Sequence, residues 1–409
     1  MTKRARRPGK DSRRRPQGTP SVIFLDDCRW NAFHQLAPLL RRAGVRTIRV
    51  STESRVKTRV ASRLLFDRYA ILPDESDVGA FREILAGEDV VDIQFAESLG
   101  DLVAKSADLL QPDVAEQVGR RISVVDKFVA AGMLAAAGVR TPEVVPVADA
   151  TPAEMAERFG FPIVVKERVG YGGERVSIVG DLEALVAATS GWGRGTGDLF
   201  YEQYVDGTKL NYAAVVSSTG IEQELAYQVT RWRQPVGRAS EVETIDDAQL
   251  VAFGRRALDV VGCKGLVNMD VIRDVNGVDW LIDFNARAFG GSGNFLAAGI
   301  DTSEGYLRAI GLRAAAPKRT KPVVGIRIRV FPTSLEDVID SGSIPRTVLA
   351  FARDSSPYIR WLGVRYWLSE AFLTADSLRL SRKEARAASA PRSLDPIPKA
   401  GTMSSTPTR

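Results

Sequence analysis

The chain has 409 residues, 44% hydrophobic and 26% charged, with a net charge of +6. This is the balance of a globular protein of two or three domains, and the lack of any run of eighteen apolar residues excludes a transmembrane helix. Two cysteines, Cys28 and Cys263, exclude a disulfide framework, and the basic N-terminus lacks the apolar core of a signal peptide, so a cytoplasmic protein is expected.

Residues 1–20 hold eight Lys or Arg against one Asp, a local charge of +7 that leaves −1 for everything after them. The excess belongs to a Pro- and Gly-interrupted tail too polar to fold, and no specific nucleic-acid binding is expected of the body. The tail reads as a solubilising extension, with contact to RNA or anionic lipid as the alternative.

Residues 21–122 alternate β and α. Strands are expected at Ser21–Asp26, Val45–Val50, Ala70–Leu72 and Val90–Phe95, with a helix at Asn31–Ala43 that Gly44 ends. The single histidine, His34, lies in that helix and has a packed or surface role; its solitude excludes a two-histidine mechanism.

Residues 123–195 open with a helix from Asp126, its N-cap, to Ala137, before Gly138. Lys127 falls in the first turn, where the helix dipole disfavours a cation unless an anion is near. Strands Ile163–Lys166 and Val176–Val179 then flank Gly170, Gly172 and Gly173. Because the glycines link strand to strand rather than strand to helix, this is a hairpin flap and not a P-loop. Its backbone N–H groups can close over phosphate oxygens with Lys166 as a point charge at the base, although an ordinary hairpin with a solvated lysine fits the same pattern.

Residues 196–315 begin with an extended run, Leu199–Val205, ending at Asp206-Gly207. Its carboxylate Glu202 and the backbone beyond it suit the edge of an adenine ring, or simply an edge strand. Gly265–Gly293 reads as a hairpin closed by a two-residue type I′ turn at Asn276-Gly277, with Val275 facing Val278. Counting back places Asp270 opposite Asp283 and Asn268 opposite Asn285. Carboxylates so placed, roughly 5 Å apart at Cβ, repel unless a cation lies between them. Asp270, Asp283 and Asn285 offer hard oxygen ligands without His or Cys, which favours Mg2+ or Mn2+ over zinc; a solvated polar face is the other reading.

Residues 316–375 add a strand and helical material. The short aromatic helix YIRWLGVRYWLSEAF is expected to pack on the body, a membrane-surface or partner contact through Arg360 and Arg365 being the alternative. A second tail is expected over 376–409. Arg231 and Arg233, in the loop RWRQPVGRAS, are candidates for the border of a second-substrate site.

In order and spacing, Asp126-Lys127, the run Lys166–Gly173, Glu202-Gln203-Tyr204-Val205, Asp270 and Asp283-Phe284-Asn285-Ala286-Arg287 resemble the motif series of the ATP-grasp superfamily. The resemblance covers about residues 21–315, and its flavour is the carboxylate-amine ligase branch similar to the large subunit of carbamoyl phosphate synthetase. It implies an α/β (α+β) ATP-grasp fold: a Rossmann-like pre-ATP-grasp domain, then a two-lobed ATP-grasp domain with antiparallel sheets. It further implies Lys127 and Lys166 on ATP phosphates beneath Gly170, Gly172 and Gly173. Glu202, Gln203, Tyr204 and Val205 would surround adenine, and Asp270, Asp283 and Asn285 would hold one or two Mg2+ ions. Arg287 and Lys166 would be the catalytic pair, Arg287 stabilising the transferred phosphoryl group or the substrate carboxylate, and Gly290-Gly291-Ser292 would border that substrate.

Three positions depart from the pattern: Thr208-Lys209 replace the acid often found for ribose, Glu167 replaces the proline often following the flap lysine, and both metal acids are Asp where Glu is frequent. The activity implied is an ATP- and Mg-dependent ligase that activates a small carboxylate as an acyl phosphate for attack by an amine, releasing ADP and phosphate. A homodimer is compatible with this. A phosphotransferase without ligation and a non-catalytic nucleotide-binding scaffold are the competing readings.

Overall fold

A computed structural model describes residues 18–26, 32–52, 56–170, 176–190, 198–232, 238–313 and 321–389. The first of its three sheets is parallel. Strands β1 (Pro20–Asp26), β2 (Arg46–Ser51), β3 (Arg68–Ile71) and β4 (Asp89–Phe95) lie in the order β3-β2-β1-β4. Val22 to Leu25 is an unbroken buried run, the pattern of a strand covered on both faces. Connections reverse direction between β1 and β4, the place where parallel sheets bind ligands at their carboxyl ends, and Glu97 stands just beyond β4. His34 in α1 (Ala32–Arg42) is packed: Nδ1 lies 2.8 Å from Glu370 Oε1 and Nε2 3.2 Å from Arg49, which also donates to Asp26.

The second sheet is antiparallel, with β5 (Val144–Pro146), β6 (Ile163–Glu167), β7 (Val176–Val179) and β8 (Leu199–Gln203) in the order β5-β8-β6-β7. It follows α2 (Lys127–Ala136), capped by Asp126, whose carboxylate accepts from the Val129 N–H at 3.1 Å. β8 stops at Gln203, so Tyr204 and Val205 lie beyond the strand expected to include them.

The third sheet has six antiparallel strands. β9 (Gly207–Ser217), β10 (Gly220–Trp232), β11 (Ala239–Thr244), β12 (Gly265–Asp274), β13 (Asp279–Asn285) and β14 (Arg327–Arg329) lie in the order β13-β12-β9-β10-β11-β14. Alternation along β9 serves both faces. Leu210, Tyr212 and Ala214 join the core beneath α3 (Ala248–Val261), whereas Ala213 and Val215 join the opposite core with Tyr306 and Leu307.

The hairpin of β12 and β13 corrects the expected turn. The Asp274 N–H donates to the Val278 carbonyl at 2.9 Å and the Gly277 N–H to the Asp274 carbonyl, so Asp274 and not Val275 faces Val278 across a three-residue loop. Gly277 supplies the positive φ of 79° that this loop requires. Such a turn would place Asp270 opposite Ile282, but the register shifts between Asp270 and Val271, and Asp270 again faces Asp283, with Asn268 facing Asn285. The bulge falls at Ile282, and it restores the pairing.

A buried polar cluster ties the first sheet to Tyr306, on a short helix (Ser303–Ala309) that packs against β9 of the third. Arg121 donates to Asp92 at 2.6 Å, the Tyr306 hydroxyl donates to the same carboxylate, and Gln94 joins Tyr306 at 3.0 Å. The C-terminal region differs from expectation. The aromatic stretch belongs to α4 (Ile344–Ser389), two helical segments meeting at Gly363 with φ 77°, and this helix runs past the point where a tail was expected. Among the described residues, no helix is long and apolar enough to cross a membrane.

Candidate active site

Three strands bring the acids together. Asn211 on β9, Asp270 on β12 and Asp283 on β13 are successive partners across the sheet, and Tyr227 on β10 pairs with Asn211 on the other side. These side chains point away from α3 and line one cavity of about 420 Å³, which also takes in Lys127, Lys166, Glu202, Asn285 and Arg287.

Within it, Lys127 resolves the repulsion of the acid pair. Its ammonium is ion-paired with Asp283 Oδ1, while Asp283 Oδ2 accepts from Asn285 Nδ2 at 3.0 Å and Asp270 accepts from Asn211. Burial favours the neutral amine of Lys127, but Asp283 and then Glu97 outweigh it and raise the lysine above its ordinary pKa. Burial likewise favours the protonated form of Asp283, and Lys127 outweighs it, so this carboxyl is held below the usual carboxylate range. The cation that looked misplaced in a first helical turn therefore has its anion on another strand. The donor set fits Mg2+ or Mn2+: two facing carboxylates and an amide oxygen. Among the described residues no cluster of three or more His, Cys, Asp or Glu could cage a metal, so a divalent ion here would need further oxygens from a ligand, as Mg2+ commonly takes from phosphates.

Lys166 sits at the other wall. Its ammonium lies 2.6 Å from Glu202 Oε1 and 3.2 Å from the carbonyl of Ile282, the bulged residue, so the bulge presents a backbone acceptor to the flap lysine. Glu202 is thus engaged by Lys166, a partner not foreseen for a side chain read as an adenine contact. Burial raises its pKa above the usual range despite that lysine. Tyr204, Val205 and Gly170 line the cavity. The Gln203 N–H donates to the Glu143 carbonyl at 2.9 Å, so of its two backbone groups only the carbonyl could serve a ligand. Gly172, Gly173, Arg233 and Cys28 lie outside the described residues. The base of the flap is braced to α2, since Arg168 donates to Asp126 at 2.9 Å and its carbonyl accepts from the Lys127 N–H at 2.8 Å.

Arg287, 7% exposed, lies past the end of β13 rather than on it. Its guanidinium is ion-paired with Glu97 and donates to Asn285 Oδ1 at 2.8 Å. Gly290 and Gly291 line the cavity, and Ser292 Oγ turns to the Phe289 carbonyl at 2.6 Å. Sequence reasoning missed Glu97, Asn211 and Tyr227, whose hydroxyl donates to Asn268 at 2.8 Å. It also missed the place of Lys209, whose ammonium lies 4.5 Å above the Trp232 ring.

No family model matches the chain. The D-alanine--D-alanine ligase of Ectopseudomonas mendocina (strain ymp) is 28% identical over 143 residues, which is 32% of this chain and 44% of that protein. D-alanine--D-alanine ligase B of Pseudomonas syringae pv. tomato is 25% identical over a match of the same extent. The match therefore spans less than half the length of these curated relatives. Among solved structures, N5-carboxyaminoimidazole synthetase from Staphylococcus aureus complexed with ADP superposes with a TM-score of 0.59 at 12% identity, covering 73% of this chain and 79% of that one.

The chain has the ATP-grasp fold.

L-amino acid ligase from Bacillus licheniformis shares the ATP-grasp fold, with a TM-score of 0.52 at 16% identity over 73% of this chain and 75% of that one. In ATP-grasp terms the cavity lies between the small sheet, β5 to β8, and the polar face of the large one.

Proposed function

We propose that this chain is an ATP- and Mg2+-dependent carboxylate-amine ligase releasing ADP and phosphate. The observation that carries the reading is the convergence of Lys127, Lys166, Asp270, Asp283, Asn285 and Arg287 on one cavity. The names of the curated relatives and of the solved neighbours support the class. Phosphate oxygens would be received by Lys127 and Lys166 under the Gly170 flap, and adenine by the segment of Tyr204 and Val205. Asp270, Asp283 and Asn285 would hold Mg2+, which when bound supplies charge neutralisation along the phosphates.

A carboxylate resists attack because its leaving group would be oxide; once it carries the γ-phosphoryl group, the leaving group is phosphate and an amine can displace it. This chemistry needs position and positive charge rather than a protein nucleophile. Arg287, held by Glu97 and Asn285, would supply positive charge there.

The experiment is a screen of carboxylate and amine pairs with Mg-ATP, read by ADP release and by mass spectrometry for the amide. Amide formation with ADP and phosphate is expected. AMP and pyrophosphate as products, or a stable phosphorylated product without an amide, would refute the assignment.

A further inference from the structure

The helix α4 packs one side on the body and presents apolar side chains to solvent on the other. After the break at Gly363, Val364, Leu368 and Phe372 recur every fourth residue and so share one face, where they are 66%, 46% and 38% exposed. Tyr366, Ser369 and Glu370 on the inner side are buried; Ser369 Oγ donates to the Ala61 carbonyl at 3.4 Å, and Glu370 is engaged by His34. The contact at Ala61 brings the helix Val56–Leu65 alongside, and that helix adds Val60, 42% exposed, and the exposed Arg63.

The charge of this surface is one-sided. Among the exposed residues from Val364 to Ala375, Arg365 is the one that is not apolar, and Arg63 and Arg379 extend the positive charge. The carboxylates of the same helix turn inward: Asp354 and Glu370 are buried and engaged by Arg353 and His34, and Asp376 is half-buried and in contact with a neighbour. The chain after Ala375 holds seven Lys or Arg against three acids, and residues 1–20 carry the same sign.

Charge and shape together choose the occupant. A second copy of this face would set arginine against arginine with no exposed acid among its described residues to pair them. A nucleic acid would meet the arginines and leave Val364, Leu368 and Phe372 without apolar contact. A protein would need a groove to enclose a helix that bulges outward. A bilayer surface yields to that shape, its anionic headgroups meeting the guanidinium groups while its acyl boundary receives the apolar side chains.

We propose that this face of α4, with the neighbouring Val60 and Arg63, docks on an anionic lipid surface, Val364, Leu368 and Phe372 entering the acyl boundary and Arg63, Arg365 and Arg379 meeting headgroup phosphates. The inner side of α4 stays packed on the body, so the chain lies on the bilayer and does not cross it through this helix. The proposal is independent of the ligase reading, since it uses none of the cavity residues.

Flotation of the full chain with vesicles of phosphatidylcholine alone, and with vesicles of phosphatidylcholine and phosphatidylglycerol in equal parts, tests this. Binding should require the anionic lipid and weaken as salt is raised. Leu368→Ser and Phe372→Ser should each weaken it about fivefold, the worth of burying half of a large apolar side chain, and Arg365→Glu about tenfold. An unchanged urea unfolding curve reports that each variant is folded, and either serine variant alone suffices if the other does not fold. Both basic termini remain in these variants, so binding through the termini alone would leave the serine variants at wild-type affinity and overturn the proposal. Equal binding to the two kinds of vesicle, or binding to neither, would overturn it as well. So would a dimer in sedimentation equilibrium that Leu368→Ser converts to a monomer, because a second copy would then own the face.

Discussion

Replacing Asp283 by Asn separates a metal-binding role from a structural one. Two opposite effects act on the free protein. Lys127 loses its ion-pair partner, and removing one member of a largely buried pair costs roughly 3–5 kcal/mol. At the same time the repulsion from Asp270, directly opposite, disappears; at roughly 5 Å and an effective dielectric constant of 20 this is worth about 3 kcal/mol. The difference leaves a net loss of at most about 2 kcal/mol, so the variant should fold. Magnesium binding has no such compensation, since one of two carboxylates is gone, and the Mg2+-dependent gain in ATP affinity should fall by a factor of about a hundred or more. Urea unfolding measures the first quantity, and ATP titrations with excess Mg2+ or with EDTA measure the second. A variant that keeps the magnesium effect, or one that loses more than about 4 kcal/mol of stability, would refute the reasoning.

The same carboxylate should govern the acid limb. Lys127 holds Asp283 below the usual range, so the unfolded chain takes up this proton more readily. The stability it contributes is complete above about pH 4 and is lost as pH falls through the lower folded value; denaturation at pH 7 and pH 3 should show Asp283→Asn losing less than wild type. Glu97→Gln removes the charge opposite Arg287 and should cost about 2–4 kcal/mol in urea unfolding, with a double-mutant cycle against Arg287→Gln returning a coupling above about 1 kcal/mol. Lys166→Met should weaken ATP binding by about tenfold or more in a fluorescence titration, while Glu202, already pushed toward its neutral form by burial, tolerates losing the lysine. Gly207→Ala would drive a Cβ to 2.7 Å from the Arg273 carbonyl carbon and 2.9 Å from Asp274 Cα; because backbone cannot yield as a side chain can, a loss of about 3 kcal/mol is expected in the same unfolding assay.

What could be read from the sequence was what short-range pattern encodes. Asp126 as a cap, the glycines between β6 and β7, and the alternation of β12 and β13 are all local. The pairing of Asp270 with Asp283 was reached through the wrong turn, because the three-residue loop and the bulge at Ile282 each move the register by one and cancel. Glu97 has no such signature: it meets Arg287 from 190 residues away, and neither neighbourhood hints at the other. The extent of α4 was misjudged because Ala, Ser and Arg were weighed as tail composition, although Ala, Leu, Arg, Lys and Glu in LRLSRKEARAAS are strong helix formers.

The cluster of Asp92, Arg121 and Tyr306 bears on how such a chain could be divided. A fragment beginning after residue 122 would keep Tyr306 and Arg287 yet surrender Asp92, Gln94 and Glu97, uncovering the side of each that those residues now engage. The cleft is therefore not a portable module. Its electrostatic balance is inherited with the parallel sheet, and the two would have to be transplanted together.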